Sequence, residues 1–285
     1  MPTLYVVATP IGNLGDMTPR AIETLKNVAL IAAEDTRVTQ KLLSAFDIHT
    51  PLTSCHEHNE RGKAEWIVQR MLTEGIDVAV TTDAGTPCIS DPGSVLAAQA
   101  IRQGIEVVAV PGPTAMASAL SVSGFEISEF TFFGFLPRQK NELREKLLDM
   151  ARRSKLAVVH ESPHRVADLL RAVAQTLPGT RVSASCDLTK KYEKTLRGTV
   201  DEVLRAIEEN PKGEKGEYCL VFAWDANDVP APEVAPEGIS LEARLFDGLM
   251  QGLSLRESME ALAARGERKN AVKAAALRVK ERLGE

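Results

Sequence analysis

The sequence predicts an α/β protein with two domains of alternating strands and helices, followed by a short helical segment. β-rich apolar runs alternate with runs of helical period from residue 4 to about residue 224. These runs form two successive series, and no strand-like run occurs after residue 240. A chain of 285 residues is long enough for two domains of ordinary size. We therefore predict an N-terminal α/β domain at residues 1–117, a second α/β domain at 118–230 and a helical segment at 240–285.

The first series contains four strand-like runs separated by helices with recognisable ends. Thr18 and Pro19 are typical of a helix start, because threonine caps free N–H groups and proline fits the first helical position. Gly75 and Gly104 each follow a helical run, as glycine commonly does at a helix end. The predicted strands are residues 4–9, 29–33, 77–82 and 106–110, and the predicted helices after the first are residues 36–46, 64–74, 94–103 and 115–120.

The second series resumes beyond Gly124. Its predicted strands are residues 130–135, 156–160, 181–187, 193–198 and 218–224, and its predicted helices are residues 140–153, 165–177 and 199–209. Strands that alternate with helices usually form parallel sheets, because each helix returns the chain to the same end of the sheet. We therefore expect largely parallel sheets. Residues 225–238 are rich in Pro, Asp, Glu and Ala, and we interpret them as a linker.

The C-terminal segment is predicted to form two or three short helices that resemble a helix-turn-helix. Ser254 and Glu257 fit a capping box, and Gly266 separates that helix from a basic one at residues 268–283. Residues 265–285 contain seven Lys and Arg against three Asp and Glu, although the whole chain has a net charge of −5. A local basic face on an acidic body favours one particular anionic partner over non-specific coating of nucleic acid.

The composition is that of an ordinary soluble globular protein, with 44% hydrophobic and 26% charged residues. No window approaches the ~20 consecutive apolar residues of a membrane helix, and the N-terminus lacks the features of a signal peptide. We therefore expect a cytoplasmic protein with no membrane partner. The four cysteines are far apart without a C-x-x-C pair, so we expect reduced thiols. His56 and His58 would share one face of an extended segment, but no further ligand cluster supports a metal site.

Three loops rich in glycine and proline follow strand-like runs, at residues 9–16, 83–93 and 111–115. Ligands of open α/β sheets bind beyond the carboxyl ends of the strands, and glycine lets the backbone approach them closely. Each loop alone also fits a tight turn. Three loops at corresponding places favour one shared pocket for a flat, polar ligand such as a nucleoside. None of them has the G-x-G-x-x-G or P-loop pattern, so dinucleotide, nucleoside triphosphate and Rossmann-methyltransferase sites are disfavoured.

Motifs spread from residue 8 to residue 193 resemble those of the tetrapyrrole methylase superfamily, and within it the branch that methylates ribosomal RNA. They are ATPIGNL at residues 8–14, AEDTR at 33–37, SCHEHN at 54–59, the loop at 83–93, residues 110–115, ESPHR at 161–165 and LTKKYE at 188–193. The tetrapyrrole enzymes begin the first motif with Gly-Pro-Gly, whereas this chain has Thr9-Pro10-Ile11-Gly12. This departure favours the RNA branch.

The resemblance implies that S-adenosylmethionine binds in a cleft between the two α/β domains, with S-adenosylhomocysteine as the product. It implies a homodimer whose partner is the small ribosomal subunit. It further implies methylation of the 2′-hydroxyl of a cytidine in the decoding region of 16S rRNA. Carried over position by position, the cofactor site comprises Pro10, Asp83, Ala84, Gly85, Ile89, Ser90, Thr114, Ala115 and Leu188.

A ribose hydroxyl is a weak nucleophile until its proton is removed, so a general base is expected beside the cofactor. The candidates are Glu34, Asp35, His160, Glu161, Lys190, Lys191 and Glu193. We favour Glu161 as the base, with Lys190 or Lys191 holding phosphate or substrate. Contacts with the RNA backbone are expected from Arg37 and from the basic tail, through Arg268, Lys269, Lys273, Arg278 and Lys280.

Two other functions remain open from the sequence. A C-methyltransferase acting on a corrin or siroheme precursor would use the same pocket and would not need the basic tail. A non-catalytic helix-turn-helix protein that binds nucleic acid would leave the three loops unexplained and would not bind S-adenosylmethionine.

Overall fold

The computed structural model describes residues 1–210, 216–224, 240–264, 267 and 269–283. The chain divides into two compact units, Met1–Val229 and Pro230–Glu285. The first unit contains two five-stranded sheets with their helices, and the second is helical. This is the predicted α/β class with a helical C-terminal part. The predicted linker at residues 225–238, as well as Gly266 and Arg268, lies outside the described residues.

The first sheet is entirely parallel, as predicted, with the strand order β3-β2-β4-β1-β5. Its strands are β1 (Thr3–Val7), β2 (Leu30–Ala33), β3 (Leu52–Ser54), β4 (Val78–Thr81) and β5 (Glu106–Val110), and its helices are α1 (Pro19–Asn27), α2 (Thr36–Ala45), α3 (Glu60–Glu74) and α4 (Ser94–Arg102). Apolar clusters cover both faces, so β2 and β4 are buried along their whole length. The carboxyl ends of β4, β1 and β5 are consequently adjacent at one edge.

The second sheet has the strand order β6-β7-β10-β8-β9, and here the expectation of a largely parallel sheet is wrong. Only β6 and β7 are parallel, and the other three pairs are antiparallel. The elements are β6 (Thr131–Phe135), β7 (Leu156–Glu161), β8 (Arg181–Cys186), β9 (Lys194–Thr199) and β10 (Tyr218–Ala223), with α6 (Lys140–Arg153), α7 (Val166–Thr176) and α8 (Val200–Glu208). The seven residues between β8 and β9 are too few for a parallel crossover, so this pair forms a hairpin.

Helix α5 (Ala115–Ser121) connects the two sheets in sequence. Its Ala119 and Leu120 pack with Val158 and Val221 of the second sheet in one apolar cluster. We therefore call residues 1–114 the first lobe and residues 115–224 the second lobe. The predicted domain boundary between residues 117 and 118 falls inside α5 and stays a prediction.

Two local expectations in the first lobe are corrected by the structure. Helix α3 begins at Glu60, four residues before the predicted start, and the short strand β3 was not predicted. His56 and His58 lie in a turn rather than an extended segment, because the Asn59 side chain accepts a 2.9 Å hydrogen bond from the His56 N–H. The predicted Thr18 cap is confirmed, since its hydroxyl accepts from the Ala21 N–H at 3.2 Å.

The second unit consists of α9 (Leu241–Met250), α10 (Leu255–Ala264) and α11 (Lys269–Leu283). Its core is an apolar cluster formed by Leu245, Leu262, Val272, Ala275, Ala276 and Val279. The predicted capping box is present, because Ser254 and Glu257 exchange backbone-to-side-chain hydrogen bonds at 2.8 and 3.2 Å. In the described part of the chain, no helix is long and apolar enough to cross a membrane.

Candidate functional site

The three glycine- and proline-rich loops meet at the carboxyl edge of the first sheet. Thr9 and Gly85 exchange two backbone hydrogen bonds of 2.8 and 3.0 Å, which join the first loop to the second. Gly85 has a left-handed backbone with φ of 89°, and a Cβ there would lie 3.4 Å from the Ile11 side chain and 3.9 Å from the Pro113 carbonyl. The third loop therefore approaches the same point. Adjacent parallel strands bring the three loops together, as the sequence predicts.

A cavity of about 380 Å³ lies between these loops and the second lobe. The first lobe contributes Ile11, Ala84, Ser90 and Asp91, and the second lobe contributes Ala115 of α5 with Phe135, His160, Glu161, Ser162, Pro163, Leu188, Glu217, Tyr218 and Cys219. Four of the predicted cofactor residues, Ala84, Ser90, Ala115 and Leu188, are in this set, together with the predicted base Glu161. The volume is within the range of about 300–1,000 Å³ that is usual for small-molecule sites.

A smaller cavity of about 290 Å³ lies on the other side of the joined loops, within the first lobe. Its lining residues are Pro10, Gly12, Leu14, Val38, Thr39, Lys41, Leu42, Thr82 and Asp83. Pro10 and Gly12 line this cavity, whereas Ile11 between them lines the larger one. In the second loop, Asp83 lines the smaller cavity and Ala84 lines the larger one. Neighbouring residues of each loop thus line different cavities, so the joined loops form a wall common to both.

Carboxylates gather around Thr82 at this wall. The Thr82 hydroxyl donates to Glu34 at 2.5 Å, and the Asp83 N–H donates to the same carboxylate at 3.2 Å. Asp83 in turn accepts from the Asp35 N–H at 3.1 Å. Burial raises the pKa of Asp83, and this hydrogen bond partly opposes the shift. Burial, followed by the charge of Glu34, raises the pKa of Asp91 to about 6.

The predicted base Glu161 is fully buried and is engaged by its neighbours. One carboxylate oxygen accepts from the Ser162 N–H at 2.7 Å, and the other lies 3.2 Å from the Arg165 guanidinium. Arg165 also donates to the carbonyls of Leu136 and Pro137 at 3.2 and 3.3 Å. This ion pair holds the end of β7 against the segment that follows β6.

His160 lies beside Glu161 in the wall of the larger cavity. Its ring contacts Phe132 and Phe135 edge-on, with centroid distances of 5.0 and 5.8 Å. Burial lowers the pKa of His160, so the imidazole is neutral at neutral pH, and its Nε2 is buried without a hydrogen-bond partner in the described part of the chain. Phe135 itself is 63% exposed at the cavity mouth.

The two predicted lysines occupy different environments. Lys190 lies 3.2 Å from Asp187 and 3.0 Å from Glu217, and its side chain covers Gly12, where an added Cβ would be 2.6 Å from the lysine Cγ. Burial lowers the pKa of Lys190, but its hydrogen bonds with Glu217 and Asp187 outweigh burial, so the pKa is raised and the ammonium stays charged. Lys191 is exposed, with its ammonium 5.6 Å from the Tyr192 ring centroid.

The backbone around Leu188 is held in an unusual conformation. Asp187 and Thr189 have left-handed φ values of 53° and 68° although neither is glycine. Such residues cost about 1–3 kcal/mol each and concentrate at functional sites. The Thr189 N–H donates to the Glu193 carboxylate at 2.6 Å, which fixes this turn and occupies another candidate base. The turn presents Leu188 to the larger cavity.

The remaining predicted residues are placed elsewhere. Among the residues lining these two cavities, Gly85, Ile89 and Thr114 do not occur. Gly85 pairs with Thr9, and Ile89 is 53% exposed. Thr114 directly precedes α5, and its carbonyl accepts from the N–H and the hydroxyl of Ser118. Arg37 is exposed at the start of α2, and its ion pair with Asp35 lowers the pKa of that carboxyl to about 2.

Sequence reasoning missed Glu217, Tyr218 and Cys219 as cavity residues. Glu217 directly precedes β10, and Tyr218 and Cys219 begin it. This strand runs antiparallel to β7, so that Tyr218 pairs with Glu161 and Cys219 with His160. If β10 were parallel to β7, as the sequence predicts, the carboxyl end of β10 would lie at the cavity instead of these three residues. In the described residues, no cluster of three or more His, Cys, Asp or Glu side chains has a metal-binding arrangement.

The basic residues of α11 that are predicted to contact RNA lie on two opposite sides of the helix in the structure. Lys269, Lys273 and Lys280 are exposed on α11 and lie within about 40° of one another around the helix axis. Arg278 lies on the opposite side, where its guanidinium forms a 2.6 Å ion pair with Glu242. The exposed charge of the described part of this helix is therefore concentrated on one lysine face.

A profile of the family Tetrapyrrole (Corrin/Porphyrin) Methylases matches residues 3–204, and the chain belongs to this family. Two solved structures share the fold at low sequence identity. A uroporphyrin-III-C-methyltransferase from Thermus thermophilus aligns with a TM-score of 0.53 and 18% identity, covering 81% of this chain and 100% of that one. The methyltransferase CobJ aligns with a TM-score of 0.56 and 17% identity, covering 78% and 94%.

Much more similar relatives carry the name ribosomal RNA small subunit methyltransferase I. The protein of Halalkalibacterium halodurans is 42% identical over 92% of this chain and 89% of its own length. That of Bacillus subtilis is 40% identical over 91% and 88%, and that of Pseudomonas aeruginosa is 41% identical over 94% and 94%. The predicted family is confirmed.

Proposed function

We propose that this protein transfers a methyl group from S-adenosylmethionine to the 2′-hydroxyl of a cytidine in the decoding region of 16S rRNA. The observation that carries the proposal is identity of 40–42% with ribosomal RNA small subunit methyltransferases I across more than nine-tenths of the chain. The solved tetrapyrrole enzymes are below 20% identical and support only the fold. The same proposal includes a homodimer that acts in the cytoplasm on the small ribosomal subunit.

The larger cavity fits the proposed cofactor in size and chemistry. Ile11, Phe135 and Leu188 offer apolar surfaces for an adenine ring, and Ser90 and Ser162 offer polar groups for the ribose and the amino-acid end. The cofactor residues proposed from the sequence remain Pro10, Asp83, Ala84, Gly85, Ile89, Ser90, Thr114, Ala115 and Leu188. Within this set, the cavity lining supports Ala84, Ser90, Ala115 and Leu188 most directly.

The bound cofactor would supply an electrophilic methyl group on a sulfonium. The chain's own task is then to exclude water, to align the ribose oxygen and to receive its proton. The buried Glu161–Arg165 pair fixes one wall of the cavity for this alignment. Lys190 and Lys191 are proposed to hold phosphate or substrate, since Lys190 stays charged beside Glu217 of the cavity lining and Lys191 is the next residue, with an exposed side chain.

RNA binding is proposed for the lysine face of α11 and for Arg37, with Arg268 as a further contact from the sequence. Lys269, Lys273 and Lys280 are exposed on one face, as contacts with successive phosphates require. Arg278 is held by Glu242 and would contribute only if that pair opened. We expect the assembled subunit to be the better substrate, because an acidic body with one basic face suits a shaped target.

The test is methyl transfer from labelled S-adenosylmethionine to small subunits from cells that lack this protein, followed by mapping of the product nucleoside. We expect label in a 2′-O-methylated cytidine. An Ala84→Trp variant should abolish transfer and cofactor binding by filling the cavity, whereas Ala261→Trp, at an exposed position of α10, should keep cofactor binding. Label on a tetrapyrrole precursor instead of RNA, or no cofactor binding at all, would overturn the proposal.

A further inference from the structure

Three carboxylates line the larger cavity, and two of them are held in ion pairs. Glu161 is bound to Arg165, and the exposed Glu217 is bound to Lys190. Asp91 takes part in none of the ion pairs found in the described part of the chain. Lys190 keeps its proton because its acidic partners raise its pKa, so it is a poor proton acceptor. Asp91 is therefore the cavity carboxylate whose charge is not already neutralised by a cation.

A structural role for Asp91 as a helix cap is already filled by another residue. Helix α4 begins just after the loop, and one oxygen of the buried Glu60 accepts from the N–H groups of Gly93 and Val95, at 2.7 and 3.0 Å. These are the free donors that a capping aspartate would bind. Since Glu60 binds them from α3, the Asp91 carboxylate is not needed as a cap, and Asp91 lines the larger cavity.

The position of Asp91 also suits a reaction between ligands of the two cavities. Asp91 lines the larger cavity, and its carboxyl lies close to the side chain of Thr82, which lines the smaller one. It therefore lies at the border of the two spaces. Burial, followed by the neighbouring charge of Glu34, raises its pKa to about 6, which leaves it ionised at neutral pH but more basic than an ordinary aspartate.

We infer that Asp91 is the general base that removes the proton of the ribose 2′-hydroxyl, an assignment that rests on the proposed function. The ribose oxygen forms the new O–CH₃ bond with its lone pair as the S–CH₃ bond breaks. The electrons of the broken bond remain on sulfur as the neutral thioether. The hydroxyl proton passes to the Asp91 carboxylate and then to water, so charge and atoms balance.

The charged and titratable surroundings of Asp91 must be considered in any pH experiment. On its own side lie Glu34, Asp83 and Cys88, with Arg37 interacting with Asp83, and across the cavity lie His160, Glu161, Lys190, Glu217, Tyr218 and Cys219. His160 is the competing base, because its imidazole is neutral. Its buried Nε2 and its contacts with Phe132 and Phe135 make it less accessible than Asp91.

The test compares Asp91→Asn with Asp201→Asn, which changes an exposed aspartate at the start of α8. Single-turnover methylation of small subunits is measured across pH, and cofactor affinity is measured by calorimetry with S-adenosylmethionine alone. We expect Asp91→Asn to lower the rate at least about 100-fold while the dissociation constant changes less than about threefold. The wild-type rate should fall below about pH 6, and the Asp201→Asn profile should match it. Added formate should partly restore an Asp91→Ala variant.

Three results would overturn the assignment. The Asp91→Asn rate could equal that of the wild type, or its loss could follow a tenfold or greater loss of cofactor affinity. The acidic limb could also persist in Asp91→Asn and disappear in His160→Gln, which would make histidine the base. A wild-type chain that binds the cofactor but methylates no RNA would instead overturn the proposed function, and the assignment with it.

Discussion

The buried carboxylate of Glu60 should be worth far more to the first lobe than an ordinary helix-surface glutamate. It is 7% exposed, and one of its oxygens accepts from the N–H groups of Gly93 and Val95 at 2.7 and 3.0 Å. A hydrogen bond to a charged acceptor contributes about 1.5–3 kcal/mol, and loss of a helix cap costs about 0.5–2 kcal/mol. Because both bonds share one oxygen, we expect Glu60→Ala to lower the free energy of unfolding by about 2–4 kcal/mol.

The assay is urea unfolding followed by circular dichroism, together with native-state hydrogen exchange of the Gly93 and Val95 amides. Glu60→Gln retains a carbonyl acceptor and should cost about half as much, roughly 1–2 kcal/mol. Glu65→Ala removes the same side chain from an exposed position of α3 and should change stability by less than about 0.5 kcal/mol. Cofactor affinity should weaken in Glu60→Ala, because Glu60 anchors the end of the loop at residues 83–93, which supplies Ala84 and Ser90 to the larger cavity. If Glu60→Ala unfolds like Glu65→Ala and the two amides exchange at their wild-type rates, the reasoning is refuted.

Three further changes test other parts of the structure. Glu161→Gln leaves the largely buried Arg165 without its anion and should lower the free energy of unfolding by about 2–3 kcal/mol. Glu208→Gln, in the exposed pair with Arg171, should lower it by less than about 1 kcal/mol. Equal losses for the two variants in urea unfolding would contradict this expectation. The folded-state pKa of Asp91, about 6, exceeds its ordinary value of 3.8, so its contribution to stability is full below the ordinary value and is lost as pH rises through about 6. Asp91→Asn should therefore lose less stability than the wild type between about pH 5 and about pH 7, and identical pH curves would show that the carboxyl is not shifted. Replacing Lys269, Lys273 and Lys280 with Gln should flatten the salt dependence of RNA binding by about two to three units of log–log slope, whereas replacing the exposed Lys26, Lys140 and Lys155 should leave the slope unchanged.

The meeting of the three loops could be predicted because it depends on local pattern and parallel geometry. Glycine and proline mark each loop, and β1, β4 and β5 all end at the same edge when they are parallel. The resemblance then supplied Ala84, Ser90, Ala115 and Leu188, which all line the larger cavity. The positions of many helices and strands could be predicted in the same way, and α6 begins and ends at the predicted residues.

What could not be predicted depends on contacts distant in sequence. The direction of β10 is decided by its pairing with β7 and β8, and a wrong direction concealed Glu217, Tyr218 and Cys219. Similarly, the start of α4 is capped by the carboxylate of Glu60, which lies 33 residues before Gly93, and no local pattern in the sequence indicates that contact.

The central position of β10 has a consequence for how the protein is made. The strand emerges last among the ten, yet it lies between β7 and β8 and bonds to both along their whole length. Until residue 223 has been synthesised, β7 and β8 therefore each have one unpaired edge. The strands of the first sheet, by contrast, are complete by residue 110. Pausing of translation shortly before β10 would expose a nascent chain with one finished sheet and one open one, and that interval is when the chain is most prone to aggregate.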